Sequence, residues 1–301
     1  SIERPDMGIG GWVTLTFTQH GTPDQVARWT RPSMLGETQW CQMFSEPDAG
    51  SDAAGVQTRG TRVDGGWMVN GQKVWTSGAQ HCTHGFATVR TDPDAPKHKG
   101  ITMMAIELNA PGVTIRPLRT ISGESHFNEI FLDDVFVSDD DVVGPVNGGW
   151  GVARATLGNE RVSIGTGRVT RSGLGVDALV SLALDHHSGD VGVARQVGEL
   201  LAEAQAMKLL NVRAVARAVL GLEPSAEGNI TKLLNSEHGQ RVAALGTRLS
   251  GPLGAAITGD RSMPQAWIAA RSLSIAGGTS EISRNVIGER LLGLPREPGL
   301  R

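Results

Sequence analysis

A chain of 301 residues is long enough for two domains with cores of their own, and its formal charge of −3, with the signs interspersed, supplies no basic field for nucleic acid. Its apolar runs, such as VDALVSLAL (176–184), fall far short of a membrane span, and the opening SIERPDMGIG lacks the charged-then-apolar layout of a signal peptide. Cys41 and Cys82 are too few for a disulfide scaffold and are not spaced as a metal site, so a cytoplasmic protein with reduced thiols and no bound metal is expected.

Residues 7–36 are mixed in texture. Within HGTPDQVARW (20–29), Thr22 suits an N-cap and Pro23 the first helical position, which predicts a helix to about Trp29. This stretch reads as the tail end of something helical. From 38 to 138 the character changes: alternating and β-branched segments are punctuated by DGG (64–66), NG (70–71), DPDAP (92–96) and NAPG (109–112), the spacing of an antiparallel β domain built from hairpins. From about Gly148 the breakers thin out and helical periodicity takes over near 149–183, 191–221, 225–249 and 279–293. Long helices with short connections suggest a bundle, and the chain as a whole reads as α+β.

Three stretches have the residue types for chemistry. MFSEPDAGSDAAG (43–55) places Ser45, Ser51 and several small residues where hydroxyls and backbone amides can approach a flat or phosphorylated ligand, although Pro, Asp, Gly and Ser equally make an ordinary pair of turns. In NGQKVWTSG (70–78), Trp75 alternates with polar neighbours on a strand, and a buried core tryptophan is the simpler reading of that pattern. In IAGGTSEISRN (275–285), Thr279 is a good N-cap, Glu281 falls in the first helical turn, and Gly277 and Gly278 let a ligand approach the free amides. That doorway suits a phosphate or an adenosine, and it also suits a plain capped helix.

Together, MFSEPDAGSD, NGQKVWTSG and IAGGTSEISRNVIGERLLGLP resemble, in order and at the usual separation, three motifs of the acyl-CoA dehydrogenase family. The likeness extends to FNEIFLDDVFV (127–137), NGGWGVA (147–153) and the HGTPDQ helix. It implies a remnant of an N-terminal helical domain over 1–37, a β domain with the flavin ring and acyl-CoA sites over 38–142, and a C-terminal four-helix bundle over 143–301. The first of these domains is expected to be largely absent, because the chain starts near its end. FAD is the implied cofactor. Phe44 and Ser45 match positions at the polar edge of its ring, Ser51 one near the pyrophosphate and the substrate, Trp75 and Ser77 the pair beside the reactive face, and Thr279 and Glu281 positions that hold the nucleotide.

Many members carry a glutamate immediately before the Gly-Thr of the last motif, and here that position is Gly277, which has no side chain to move a proton. A subset similar to isovaleryl-CoA and some long-chain dehydrogenases keeps its base on the first bundle helix, which by ungapped counting from Gly149 falls on Glu160, followed by Arg161. Glu160 has Thr156, Leu157, Ser163 and Ile164 as its neighbours three and four residues away, so no cation stands there for a surface i,i+4 pair, and apolar surroundings would make it a stronger base. The resemblance then implies that Glu160 takes the α-proton of an acyl thioester, that the amide near Gly277 faces the thioester oxygen, and that Arg161 steadies the CoA side or the loop around Ser51. A non-redox CoA-thioester-binding or assembly subunit and an acyl-CoA oxidase are the alternatives.

Two departures fall in one functional group. Where members present an arginine and a Gln-x-x-Gly-Gly segment to the adenosine half of a neighbouring subunit's FAD, this chain has His186 in LDHHSGDVG and Arg248 and Pro252 in TRLSGPLG. A homo- or heterotetramer is implied, and the eroded half-site favours a heteromer with a paralogous subunit. Heteromeric family members of steroid side-chain degradation divide their sites in this way, so a bulky polycyclic acyl-CoA is an expected substrate, with an electron-transfer flavoprotein as acceptor.

Overall fold

Thr22 starts a helix as its sequence context predicts: its hydroxyl accepts from Gln25 N (3.2 Å), and Gln25 Oε1 accepts from Thr22 N (3.0 Å), a complete capping box. In the computed structural model, which describes residues 7–165, 175–220, 227–254 and 262–296 with a few side chains excepted, this helix is α2 (Pro23–Leu35). It runs six residues past the expected end at Trp29 and through Pro32, stopping at Gly36 in the left-handed conformation (φ 76°). Tertiary packing carries it on: Trp29 is buried, and Ser33 Oγ accepts from the indole of Trp40 (2.8 Å). A further helix of this N-terminal stretch, α1 (Ile9–His20), precedes it and buries Trp12, Val13 and Phe17.

Eight strands follow: β1 (Trp40–Met43), β2 (Arg59–Val63), β3 (Gly66–Ser77), β4 (His84–Arg90), β5 (Ile101–Glu107), β6 (Val113–Leu118), β7 (Phe127–Ser138) and β8 (Val142–Val143). They form one sheet in the order β6-β7-β3-β2-β4-β5-β8, with β1 also on β4. Most pairs are antiparallel as expected, but β1 and β2 both meet β4 in parallel. The reason is the long excursion from β1 through residues 44–83, which brings β4 back in β1's own direction.

Asp64-Gly65 closes the β2–β3 hairpin as the DGG signal predicts, whereas Asn70-Gly71 is no turn. It is a bulge inside β3, where the register with β7 shifts between Val69 and Gly71. Gly71 is needed because a Cβ there would lie 2.6 Å from Thr58 Oγ1 and 2.7 Å from Thr58 Cα. Asn70 meanwhile brackets Asp134 across the ladder, donating from Nδ2 to Oδ1 (2.9 Å) and accepting from its backbone N–H (2.9 Å).

The alternation of β1 sends its side chains to two cores. Cys41 and Met43 join Val69, Val89, Met104, Ile106, Ile130 and Val135 on one side. Trp40 joins Phe44, Phe86, Trp12, Phe17 and Trp29 on the other, closed by Val152 and Ala153 of α3 (Gly149–Gly165). These residues belong to the first of two compact units, 1–160 and 161–301.

In the second unit, α4 (Val176–His186), α5 (Val191–Val219) and α6 (Glu227–Leu249) pack around Leu179, Val193, Val197, Leu200, Val242 and Leu245. The expected single helix over 149–183 is thus described as two, α3 and α4, with 166–174 outside the described residues. A short helix missed in the sequence, α7 (Ser262–Ala269), packs Ala266 on Ala243, and α8 (Ser280–Val286) ends in a π turn over Ile287–Leu291.

Candidate functional site

The turn after β1 and the middle of β3 are joined by a buried charge pair. Lys73 is fully buried, and its ammonium donates to Glu46 Oε1 (2.8 Å), to Thr88 O (2.7 Å) and to Thr88 Oγ1 (3.2 Å). The Glu46 carboxylate also accepts from Gln57 N (2.6 Å) and Thr58 N (3.0 Å). Burial pushes the Glu46 carboxyl up, but the Lys73 ammonium and these donors outweigh it and hold it below the ordinary carboxylate value. Burial draws Lys73 down against the opposing pull of Glu46. A backbone bond from Val74 N to Ser45 O (2.9 Å) completes the fastening. Neither Glu46 nor Lys73 was singled out from the sequence, although a lysine between strand hydrophobics beside a motif carboxylate was a usable signal.

This fastening holds β3 where its backbone is irregular. The register with β7 shifts again between Lys73 and Thr76, and Trp75 sits at φ 59°, a left-handed conformation that costs an L-residue about 1–2 kcal/mol. The irregularity turns the indole outward. Trp75 is 59% exposed and stands edge-on to Phe127 at 5.8 Å, so the core position suggested by simple alternation is overturned. Ser77, half-buried, is the ladder partner of the same Phe127. Phe44 is buried, Ser45 is half-buried beside Val74, and Ser51 is exposed in the following turn, next to Asp52, which pairs with Lys97 (2.7 Å). The first unit therefore gathers Phe44, Ser45, Trp75 and Ser77 about the β1–β3 junction, with Ser51 farther out on the loop.

Glu160 lies on α3 in the same unit, half-buried. Its neighbour Asn159 is buried and donates to Thr16 Oγ1 (3.2 Å) and Gln19 Oε1 (3.0 Å), tying α3 to α1. Glu160 Oε2 accepts from Gln42 Nε2 (3.2 Å), and Gln42 Oε1 accepts from the indole N–H of Trp12 (2.8 Å). This donor, Gln42, comes from a strand 118 residues away. The side chain of Arg161 lies outside the described residues.

In the second unit Gly277 and Gly278 both take left-handed backbone (φ 67° and 92°), and Thr279 caps α8 by accepting from Ile282 N (3.2 Å). Glu281 is exposed, its carboxyl held down by its own backbone amide and by Thr279. Beside this start, Lys232 Nζ and Ser280 Oγ are buried without a hydrogen-bond partner among the described residues. Burial lowers the Lys232 pKa, with Glu281 opposing. His186 and Pro252 are exposed, and Arg248 donates to Gln196 Oε1. Among the described residues no cluster of His, Cys, Asp and Glu could hold a metal, and no helix is long and apolar enough to cross a membrane.

One unit holds a mixed sheet that carries an exposed indole and the other is helical with a glycine-led helix start, and comparison with known proteins gives the chain a family. Residues 41–135 match the acyl-CoA dehydrogenase middle domain and residues 147–292 the acyl-CoA dehydrogenase C-terminal domain. Acyl-CoA dehydrogenase FadE34 of Mycobacterium tuberculosis is 46% identical over 98% of this chain, which spans 41% of FadE34. Acyl-CoA dehydrogenase IpdE1 of Mycolicibacterium smegmatis is 34% identical over 94% of the chain and 74% of its own length. The chain belongs to the acyl-CoA dehydrogenase family. Among solved structures it is similar to the Tcur3481-Tcur3483 steroid ACAD (TM-score 0.86, 27% identity, 95% of this chain and 76% of that one). It is also similar to the ChsE4-ChsE5 complex from Mycobacterium tuberculosis (TM-score 0.81, 26% identity, 95% and 76%).

Proposed function

We propose that the chain is an FAD-dependent acyl-CoA dehydrogenase that converts an acyl-CoA to the trans-2-enoyl-CoA, with Glu160 as the base. The observation that carries this is the Glu160 carboxylate, half-buried and held by Gln42 two residues before Phe44, in a chain whose position 277 has no side chain. An α-proton of a thioester is weakly acidic, so its removal needs a carboxylate fixed in place and donors aimed at the developing enolate oxygen. The backbone amide at Gly277 is the donor we assign to that oxygen, and Arg161 and Ser51 are assigned to the CoA side.

The residues present fit FAD. Trp75 offers an exposed indole, as a flat aromatic ligand requires, on a strand that the buried Lys73–Glu46 pair and the Val74–Ser45 backbone bond fasten to the turn after β1. The unpartnered Lys232 amine and Ser280 hydroxyl near Thr279 and Glu281 suit a polar or anionic group. FAD, when bound, supplies the acceptor for the hydride leaving the β-carbon. Everything else in the step falls to the chain: Glu160 takes the proton, backbone amides steady the oxygen, and Trp75 with Ser77 sets the cofactor's face.

The test is anaerobic bleaching of the flavin absorbance by butyryl-CoA, octanoyl-CoA, palmitoyl-CoA and a steroid carboxylic acid CoA thioester. The native protein is expected to bleach, and Glu160→Gln is expected to keep FAD and lose bleaching; a Glu160→Gln protein that still bleaches defeats the assignment of the base.

We further infer a heteromer with a paralogous subunit and a steroid acyl-CoA substrate. His186, Arg248 and Pro252 stand where an adenosine grip is implied, and of the similar solved structures one is the ChsE4-ChsE5 complex and another the Tcur3481-Tcur3483 steroid ACAD. An electron-transfer flavoprotein is the acceptor on this reading. A purified homotetramer holding one FAD per subunit would rule the heteromer out.

A further inference from the structure

We propose that Gln42 is a positioning residue for Glu160 and that Trp12 sets which way Gln42 points, so that a hydrogen-bonded relay from α1 through β1 to α3 aims the carboxylate. The inference rests on Glu160 being the base. Its own ground is the relay's geometry: Trp12 Nε1 to Gln42 Oε1 at 2.8 Å, then Gln42 Nε2 to Glu160 Oε2 at 3.2 Å.

Chemistry fixes the polarity of the relay. An indole N–H can only donate, so the amide atom facing Trp12 must be the oxygen, and the end facing Glu160 must be the NH2. An ionised carboxylate can only accept, so the arrangement is satisfied at both joints when Glu160 carries its charge. A reversed amide would set oxygen against carboxylate and N–H against N–H, losing both bonds. Trp12 therefore acts on Glu160 without touching it.

The relay is built on fixed supports. Trp12 is 9% exposed and packs in the aromatic core with Phe17, Trp29 and Trp40. Gln42 is a polar residue in a strand whose other three side chains are buried, and it projects to the Trp40 side, toward α1 and α3. Asn159 ties the turn of α3 that carries Glu160 to Thr16 and Gln19 of α1, the helix that also presents Trp12. Both ends of the relay are thus referenced to one helix, and the strand between them continues directly into Phe44 and Ser45. A half-buried glutamate has three rotatable side-chain bonds, and a fixed donor on one oxygen narrows the rotamers open to it.

The test compares Gln42→Leu, nearly equal in volume and without the amide, with Trp12→Phe, which keeps the aromatic packing and removes the donor. The flavin-loaded protein is used in its native assembly, and the substrate is whichever of the four thioesters named above reduces it fastest. The limiting rate of flavin reduction is expected to fall about ten- to a hundredfold in Gln42→Leu, the range for a lost hydrogen bond to a charged group, with FAD content and thioester affinity within about twofold. Trp12→Phe is expected to lose about two- to tenfold, as for a neutral bond. The rate decrease caused by α-deuteration should grow in both variants, because proton removal becomes more limiting; a purely structural defect would instead lower FAD content or affinity and leave that isotope effect unchanged. A native rate in Gln42→Leu overturns the positioning role while Glu160→Gln still tests the base separately. Should Gln42→Leu fail to hold FAD, Trp12→Phe decides alone, and an unaltered rate and isotope effect in it overturn the relay. Undiminished reduction in Glu160→Gln removes the base and the relay together.

Discussion

The β1–β3 junction and the start of α8 both carry expected cofactor residues, yet they are fastened by opposite means. At the junction the key cross-link is Lys73–Glu46, with side chains 0% and 6% exposed. At α8 the charges lie outside: Arg284 pairs with Glu237 at 53% and 41% exposure, and the helix start depends on Thr279 and on left-handed glycines. Charge in the interior is costly unless every partner is present, whereas charge on the surface is screened and contributes little. The first site should therefore fail abruptly, and the second by small steps.

The sharpest way to break the comparison is Lys73→Met, which leaves the Glu46 carboxylate buried without its cation. A loss of about 3–5 kcal/mol is expected for the first unit. Six of the seven tryptophans lie in residues 1–160, so denaturant unfolding followed by intrinsic fluorescence reads that unit. A loss under about 1 kcal/mol would mean that the pair is not what holds the turn to β3.

Acid sharpens the same point. Because the folded Glu46 pKa lies below its unfolded value, its contribution is fully present above the unfolded pKa, about 4.3, and is lost as pH falls through the lower folded value. Fluorescence-detected stability should decline below about pH 4 in the native protein. In Glu46→Gln this acid limb should flatten, while stability at neutral pH is already reduced.

Smaller effects belong to α8. Thr279→Ala removes the acceptor for Ile282 N and should cost about 1 kcal/mol, readable as a small shift of the far-ultraviolet circular dichroism melt. Smallest of all, Arg284→Ala should cost about 0.2–1 kcal/mol at low ionic strength, a difference that shrinks as salt is raised. If Arg284→Ala proved as damaging as Lys73→Met, the contrast between buried and surface fastening would collapse.

Features governed by neighbours in the chain were legible in advance. The Thr22 cap, the Asp64-Gly65 hairpin, the Thr279 cap and the change from strands to helices all depend on residues within a few positions of one another. Local pattern misleads where a distant segment intervenes. Asn70-Gly71 looked like a turn because a turn is the usual local use of that pair, but β7 and Thr58 made it a bulge. Trp75 looked like a core residue because alternation assumes a regular strand, and an irregular ladder with β7 reverses its direction.

The candidate site divides along the same line. The sequence by itself determined the family motifs, the α+β order of the units and the glycine at 277, because these depend on residue identity and spacing. Only the tertiary structure decided that Trp75 faces outward, that Glu46 and Lys73 neutralise each other in the interior, and that Gln42 and Trp12 stand behind Glu160. Those outcomes depend on hydrogen bonds and burial between segments 27 to 118 residues apart, and no local propensity encodes the geometry in which such segments meet.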